Sequence, residues 1–114
     1  MPKTTLAKHL ALDADQLAQR RALGDRLDRP RFVDHVAAFR SLAAAEAAAD
    51  DLRALGYTAT VKKGLFRTSL EAARPERLDG TEPERFVTEV FGVVDRHGGA
   101  YDGWGAAVIP PGSD

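Results

Sequence analysis

Apolar residues recur every three or four positions in three stretches of the chain and every second position in four others. The first helical stripe is Leu10, Ala14, Leu17 and Ala18. Asp13 with Gln16 has the capping-box spacing that starts such a helix, and Gly24 suits its end. The second stripe is Leu42, Ala45, Ala48, Ala49, Leu52 and Leu55, opened by Ser41 and closed by Gly56. The third is Phe86, Val87, Val90, Phe91 and Val94, opened by Thr81 with Glu84 and closed after His97 by Gly98.

Alternation marks the strands. In Phe32–Phe39 both faces are largely apolar, which suits a central strand, and Asp34 and His35 point to opposite sides. Tyr57, Ala59 and Val61 alternate with threonine and lysine. A turn at Lys63-Gly64 leads to a partner strand from Leu65 to about Ala72, with Phe66, Thr68 and Leu70 on one face. Residues 74–80, containing Pro75, read as a loop, and Tyr101–Ile109 as a last strand stopped by Pro110-Pro111. The resulting organisation is a flexible tail over 1–12, a helix and connector over 13–31, one main domain over 32–110 and a short tail over 111–114. The order, one helix and then β-α-β-β-α-β, predicts an α+β, ferredoxin-like βαββαβ sandwich: a four-stranded antiparallel sheet with two helices, plus an extra N-terminal helix. One sheet face is then open to a partner unless the extra helix covers it.

Composition narrows the chemistry. The 114 residues are 44% hydrophobic and 29% charged, a globular balance for one domain. There is no cysteine, so disulfides, thiolate catalysis and cysteine-ligated zinc are excluded. With no leader-like start and no long apolar run, the expected location is cytoplasmic, without a membrane partner. Net charge is −1: six basic and four acidic groups over residues 1–30 give +2, and ten basic and thirteen acidic groups over 31–114 give −3. Neither half attracts nucleic acid overall.

No catalytic grouping stands out. His9, His35 and His97 are not spaced to share a metal, and His35 reads as a strand histidine satisfied by a hydrogen bond. Ser41, Ser69 and Ser113 lie in no nucleophile turn; Ser41 is explained by capping and Ser113 by the chain end. The glycines at 98, 99, 103 and 105 run from helix into strand, the reverse of a phosphate loop. RNA-recognition domains share this element order, and Lys63-Gly64-Leu65-Phe66-Arg67-Thr68-Ser69-Leu70 opens as their third strand does. The stacking positions, however, hold Leu65 and Arg67, so direct nucleic-acid binding is not expected.

One segment does stand out. His97-Gly98-Gly99-Ala100-Tyr101-Asp102-Gly103-Trp104 holds three glycines, two large aromatics and the only tryptophan. Gly98-Gly99-x-Tyr101-Asp102-Gly103-Trp104 before a final strand resembles the bacterial regulator of ribonuclease E activity B family. So do Val33-Asp34-His35 opening the first strand and an alanine-rich helix ending Leu55-Gly56-Tyr57. The resemblance spans about residues 13–110. It implies a ferredoxin-like sandwich that is not an enzyme and needs no cofactor or metal. It also implies a protein partner, an RNase E-type endoribonuclease whose non-catalytic region the family binds, reducing its activity in mRNA decay. Asp34, His35, Gly99, Tyr101, Asp102, Gly103 and Trp104 carry over as fold or partner-binding markers. The best-known members end in a strongly acidic tail, whereas this sequence ends Pro110-Pro111-Gly112-Ser113-Asp114. The alternative is an RNA- or small-ligand-binding module using Lys62, Lys63 and Arg67 on the sheet.

Overall fold

The computed structural model describes residues 4–112. The first three residues of the expected N-terminal tail, and Ser113 with Asp114, lie outside the described residues. Seven elements follow in chain order: α1 (Leu6–Ala22), β1 (Arg31–Phe39), α2 (Leu42–Ala54), β2 (Thr58–Lys63), β3 (Thr68–Glu76), α3 (Glu82–Arg96) and β4 (Ala100–Gly105). The strands form one antiparallel sheet in the order β2-β3-β1-β4. This is the ferredoxin-like arrangement with one additional helix in front.

Each strand has one face turned to the helices. On β1, Arg31, Val33, His35, Ala37 and Phe39 are buried while Phe32, Asp34 and Val36 are exposed. α2 meets the sheet with Ala45, Ala48, Ala49 and Leu52, all fully buried. Three alanines on that stripe let the helix lie close to the strands. α3 adds Phe86, Val87, Val90, Val93 and Val94 to the same core. Ser41 caps α2 by accepting the Ala44 N–H at 3.2 Å. Thr81 does precede α3, but its side chain makes no capping bond.

Four boundaries differ from the sequence pattern. α1 begins at Leu6, not after Asp13, because Thr5 accepts the Lys8 N–H and caps it; Asp13 lies inside the helix. The hairpin turn is longer than Lys63-Gly64. It runs to Arg67, closed by Gly64 N–H to Arg67 O at 2.9 Å, so Leu65 and Phe66 sit at the tip and not in β3. Thr68 and Leu70 do share the buried face, but Phe66 does not join them. β3 continues through Pro75 to Glu76 instead of ending in a loop. β2 pairs with β3 only as far as Ala73, so Pro75 sits beside a free edge where a missing N–H is tolerated.

Finally, β4 stops at Gly105, not Ile109. The residues beyond it form a strap held by a buried ion cluster. Arg20 bonds Ala106 O, Arg31 bonds Ala107 O, and the Ile109 N–H reaches Asp25. No helix among the described residues is long and apolar enough to cross a membrane.

Candidate interaction surfaces

The motif residues separate by sheet face. His35 is 2% exposed, and its Nδ1 lies 2.7 Å from the Tyr101 hydroxyl. Phe86 and Tyr57 meet the imidazole edge to face. Burial, with the Arg74 charge adding to it, pushes the His35 pKa down to about 3, so the ring stays neutral. Its Nε2 has no hydrogen-bond partner, so the sequence reading of a satisfied histidine holds for one nitrogen only. Burial likewise holds the Tyr101 hydroxyl far above its usual range.

Trp104 neighbours His35 across the β1–β4 pair. Its indole N–H donates to Asp13 Oδ1 at 2.9 Å, and its ring meets Phe86 edge-on. The Arg20 guanidinium lies 5.4 Å from its centroid. Trp104 is therefore the post to which α1 is tied. Burial raises the Asp13 carboxyl above its ordinary value despite the Trp104 bond and the nearby His9, and its Oδ2 has no partner. A cleft of about 280 Å³ between α1 and the start of α3 is lined by Asp13 and Glu84 with Leu10, Leu17 and Pro83. His9 packs against Tyr101 and Phe91 from the same helix. None of these α1 contacts was legible in the sequence. The pairing of Trp104 with Asp13 spans most of the chain, and Asp13 has the residue type and spacing of a cap.

The motif glycines serve the same corner. A Cβ at Gly99 would run into the Phe39 ring. Gly103 has φ +121° beside a bulge, where Val36 pairs with Gly103 but Ala37 pairs with Tyr101, leaving Asp102 as the extra, exposed residue. His97 bonds Asp51 at 2.7 Å and ties the end of α3 to α2. The three histidines thus have separate neighbours, and among the described residues no group of three or more His, Asp or Glu could hold a metal ion.

The outer face of the sheet is bare, because α1 packs beside α3 on the helical side. The pairing register gives its rows. Pro75 lies beside Phe32; then come Thr58, Ala73, Asp34 and Gly105; then Thr60, Glu71, Val36 and Gly103; then Lys62, Ser69, Ala38 and Ala100. Phe32, 60% exposed, and Val36 are its apolar centres. Asp34, Glu71 and Asp102 give its middle a negative charge, the wrong sign for a phosphate backbone. Of the motif residues, only Asp34 and Asp102 present charged side chains to solvent; His35, Tyr101 and Trp104 point to the helical side.

The sequence matches the model of the family described as Regulator of ribonuclease activity B over residues 11–106. A search among curated proteins finds no match.

Proposed function

Because the chain belongs to the Regulator of ribonuclease activity B family, we propose that it is a non-catalytic cytoplasmic regulator that binds an RNase E-type endoribonuclease and lowers its activity in mRNA decay. The observation that carries this reading is the bare sheet face. Four strands are displayed with no helix among the described residues over them; Val36 stands exposed near their middle and Phe32 at the end of the face, where β1 pairs with β3 alone. Exposed apolar side chains on a rigid sheet, ringed by polar ones, suit a protein contact. Asp34 and Asp102 would contribute partner contacts from the same face. His35, Gly99, Tyr101, Gly103 and Trp104 would act indirectly, by fixing the corner from which Asp102 projects.

The motif's own polar groups argue in the same direction. His35 is neutral and sealed, the Tyr101 hydroxyl is spent on it, and the Trp104 N–H is spent on Asp13. None faces solvent where a substrate could reach it. The test is direct association of the purified chain with the separately purified non-catalytic region of its host's RNase E-type nuclease, followed by calorimetry. The reading expects saturable binding. Absence of binding to that region and to the whole nuclease would reject it.

A further inference from the structure

Among the described residues, the two large hydrophobic side chains most exposed to solvent sit side by side. Leu65 is 90% exposed and Phe66 is 91% exposed, both at the β2–β3 tip. They are not on a loose loop: the Gly64 N–H to Arg67 O bond closes the turn, and a Cβ at Gly64 would come within 2.6 Å of that oxygen. The turn therefore requires glycine and holds both side chains outward. No core element claims them.

Four cations surround this tip: Arg40, Lys62, Lys63 and Arg67. Their side chains make no ion pair or hydrogen bond among the described residues. Two adjoining cavities, of about 510 and 290 Å³, share Arg40, Phe66 and Arg67 as walls. One opens toward Phe39 and Gly98, the other toward Leu42 and Leu65. Among the described residues, no carboxylate lines either one. A groove that sets Phe66, Leu42 and Leu65 among charges of positive sign only selects its occupant by charge.

We infer that this hairpin end docks an acidic segment of a protein partner, one carrying a bulky apolar residue among its carboxylates. The apolar residue would pack on Phe66 and Leu42, and the carboxylates would meet Arg40, Lys63 and Arg67. RNA fits less well. Phe66 is the only aromatic at the tip, and a strand continuing across the sheet would meet Asp34 and Glu71. The inference rests on the reading of the chain as a protein-binding regulator and adds the chemistry of a partner segment.

The test is fluorescence anisotropy with a labelled peptide of alternating Asp/Glu and Leu/Phe. A twin with lysine at each acidic position, an RNA oligomer of equal charge and phosphatidylglycerol vesicles are run beside it. The acidic peptide is expected to bind, and Phe66→Asp and Lys63→Glu/Arg67→Glu are each expected to weaken it at least tenfold with unchanged thermal unfolding. No binding at about 1 mM peptide, equal binding by the variants, or tighter binding of RNA or vesicles would each overturn it. The nuclease association described above is measured on the same variants. Peptide binding lost in them supports the groove whichever way the nuclease result falls, so the two readings can fail separately.

Discussion

Arg31 opens β1 and Arg40 follows its last residue, yet the two arginines live in opposite environments. Arg31 is buried with Arg20 around one carboxylate, Asp25, whose side chain is fully enclosed. Burial alone would push the Asp25 carboxyl up, but hydrogen bonds from Arg31 and Arg20 and the Ile109 N–H outweigh it and hold the group below its ordinary range. Arg20 also donates to Ala106 O and the Gln16 side chain, and Arg31 to Ala107 O and the carbonyls of Arg26 and Arg29. Arg40, at the far end, is exposed beside Lys62, Lys63 and Arg67, with no side-chain partner for any of them. Residue type does not distinguish these ends; satisfaction does. Where every donor is answered within the chain, the cation is structural. Where none is, the charge is available to another molecule.

Removing the carboxylate from the satisfied end gives the largest expected effect. Asp25→Ala leaves two buried guanidiniums uncompensated and is expected to cost about 3–5 kcal/mol, read by urea unfolding. A loss below about 1 kcal/mol would place the cluster among ordinary surface pairs.

The next effect is one of pH. In the unfolded chain His35 takes up a proton near pH 6.5, whereas in the folded chain its pKa is about 3. Stability is therefore fully present above about pH 6.5 and falls as pH drops toward 3, by up to about 1.4 kcal/mol per pH unit. His35→Gln should flatten that slope between pH 6.5 and 4.5 while lowering stability at pH 7. A slope unchanged by the substitution would mean that the imidazole is not sealed.

Trp104→Phe removes the indole N–H and leaves Asp13 without its hydrogen bond, an expected loss of about 1–3 kcal/mol at pH 7. Because the Asp13 pKa is already raised, its ionised form costs stability, and that cost is relieved as pH falls through the folded value. The deficit of the variant should shrink on acidification. A deficit independent of pH would assign the loss to packing alone.

Arg40→Met closes the series. With no partner to strand, it should change unfolding free energy by less than about 0.5 kcal/mol. A larger loss would show that the exposed end also holds the fold together.

The sequence carried the element order because each element has a clean period. The alternation in β1 survives into the structure, and so does the middle of the α2 stripe, Ala45, Ala48, Ala49 and Leu52, while its end leucines, Leu42 and Leu55, stand exposed where the helix leaves the sheet's cover. Boundaries failed where a long-range contact outweighed local chemistry. Thr5 starts α1 because Leu6, His9 and Leu10 have a core to join, and nothing local signals that. Leu65 and Phe66 have the residue types of a strand, yet the turn that Gly64 closes on Arg67 carries them out into solvent. β4 ends early because Asp25, Arg20 and Arg31, read as polar connector and helix surface, capture residues 106–109. The motif was legible as a corner. Which of its members face solvent was not, since the bulge at Asp102 shifts the register by one residue.

The most direct test of the account is the rate at which the RNase E-type nuclease cleaves a defined RNA, with and without this chain. The chain is expected to slow cleavage, and a Phe32→Asp/Val36→Asp variant, altered only on the bare face, is expected to lose that effect while unfolding at the same urea concentration. Cleavage left unchanged by the unaltered chain, or slowed equally by both proteins, would contradict it.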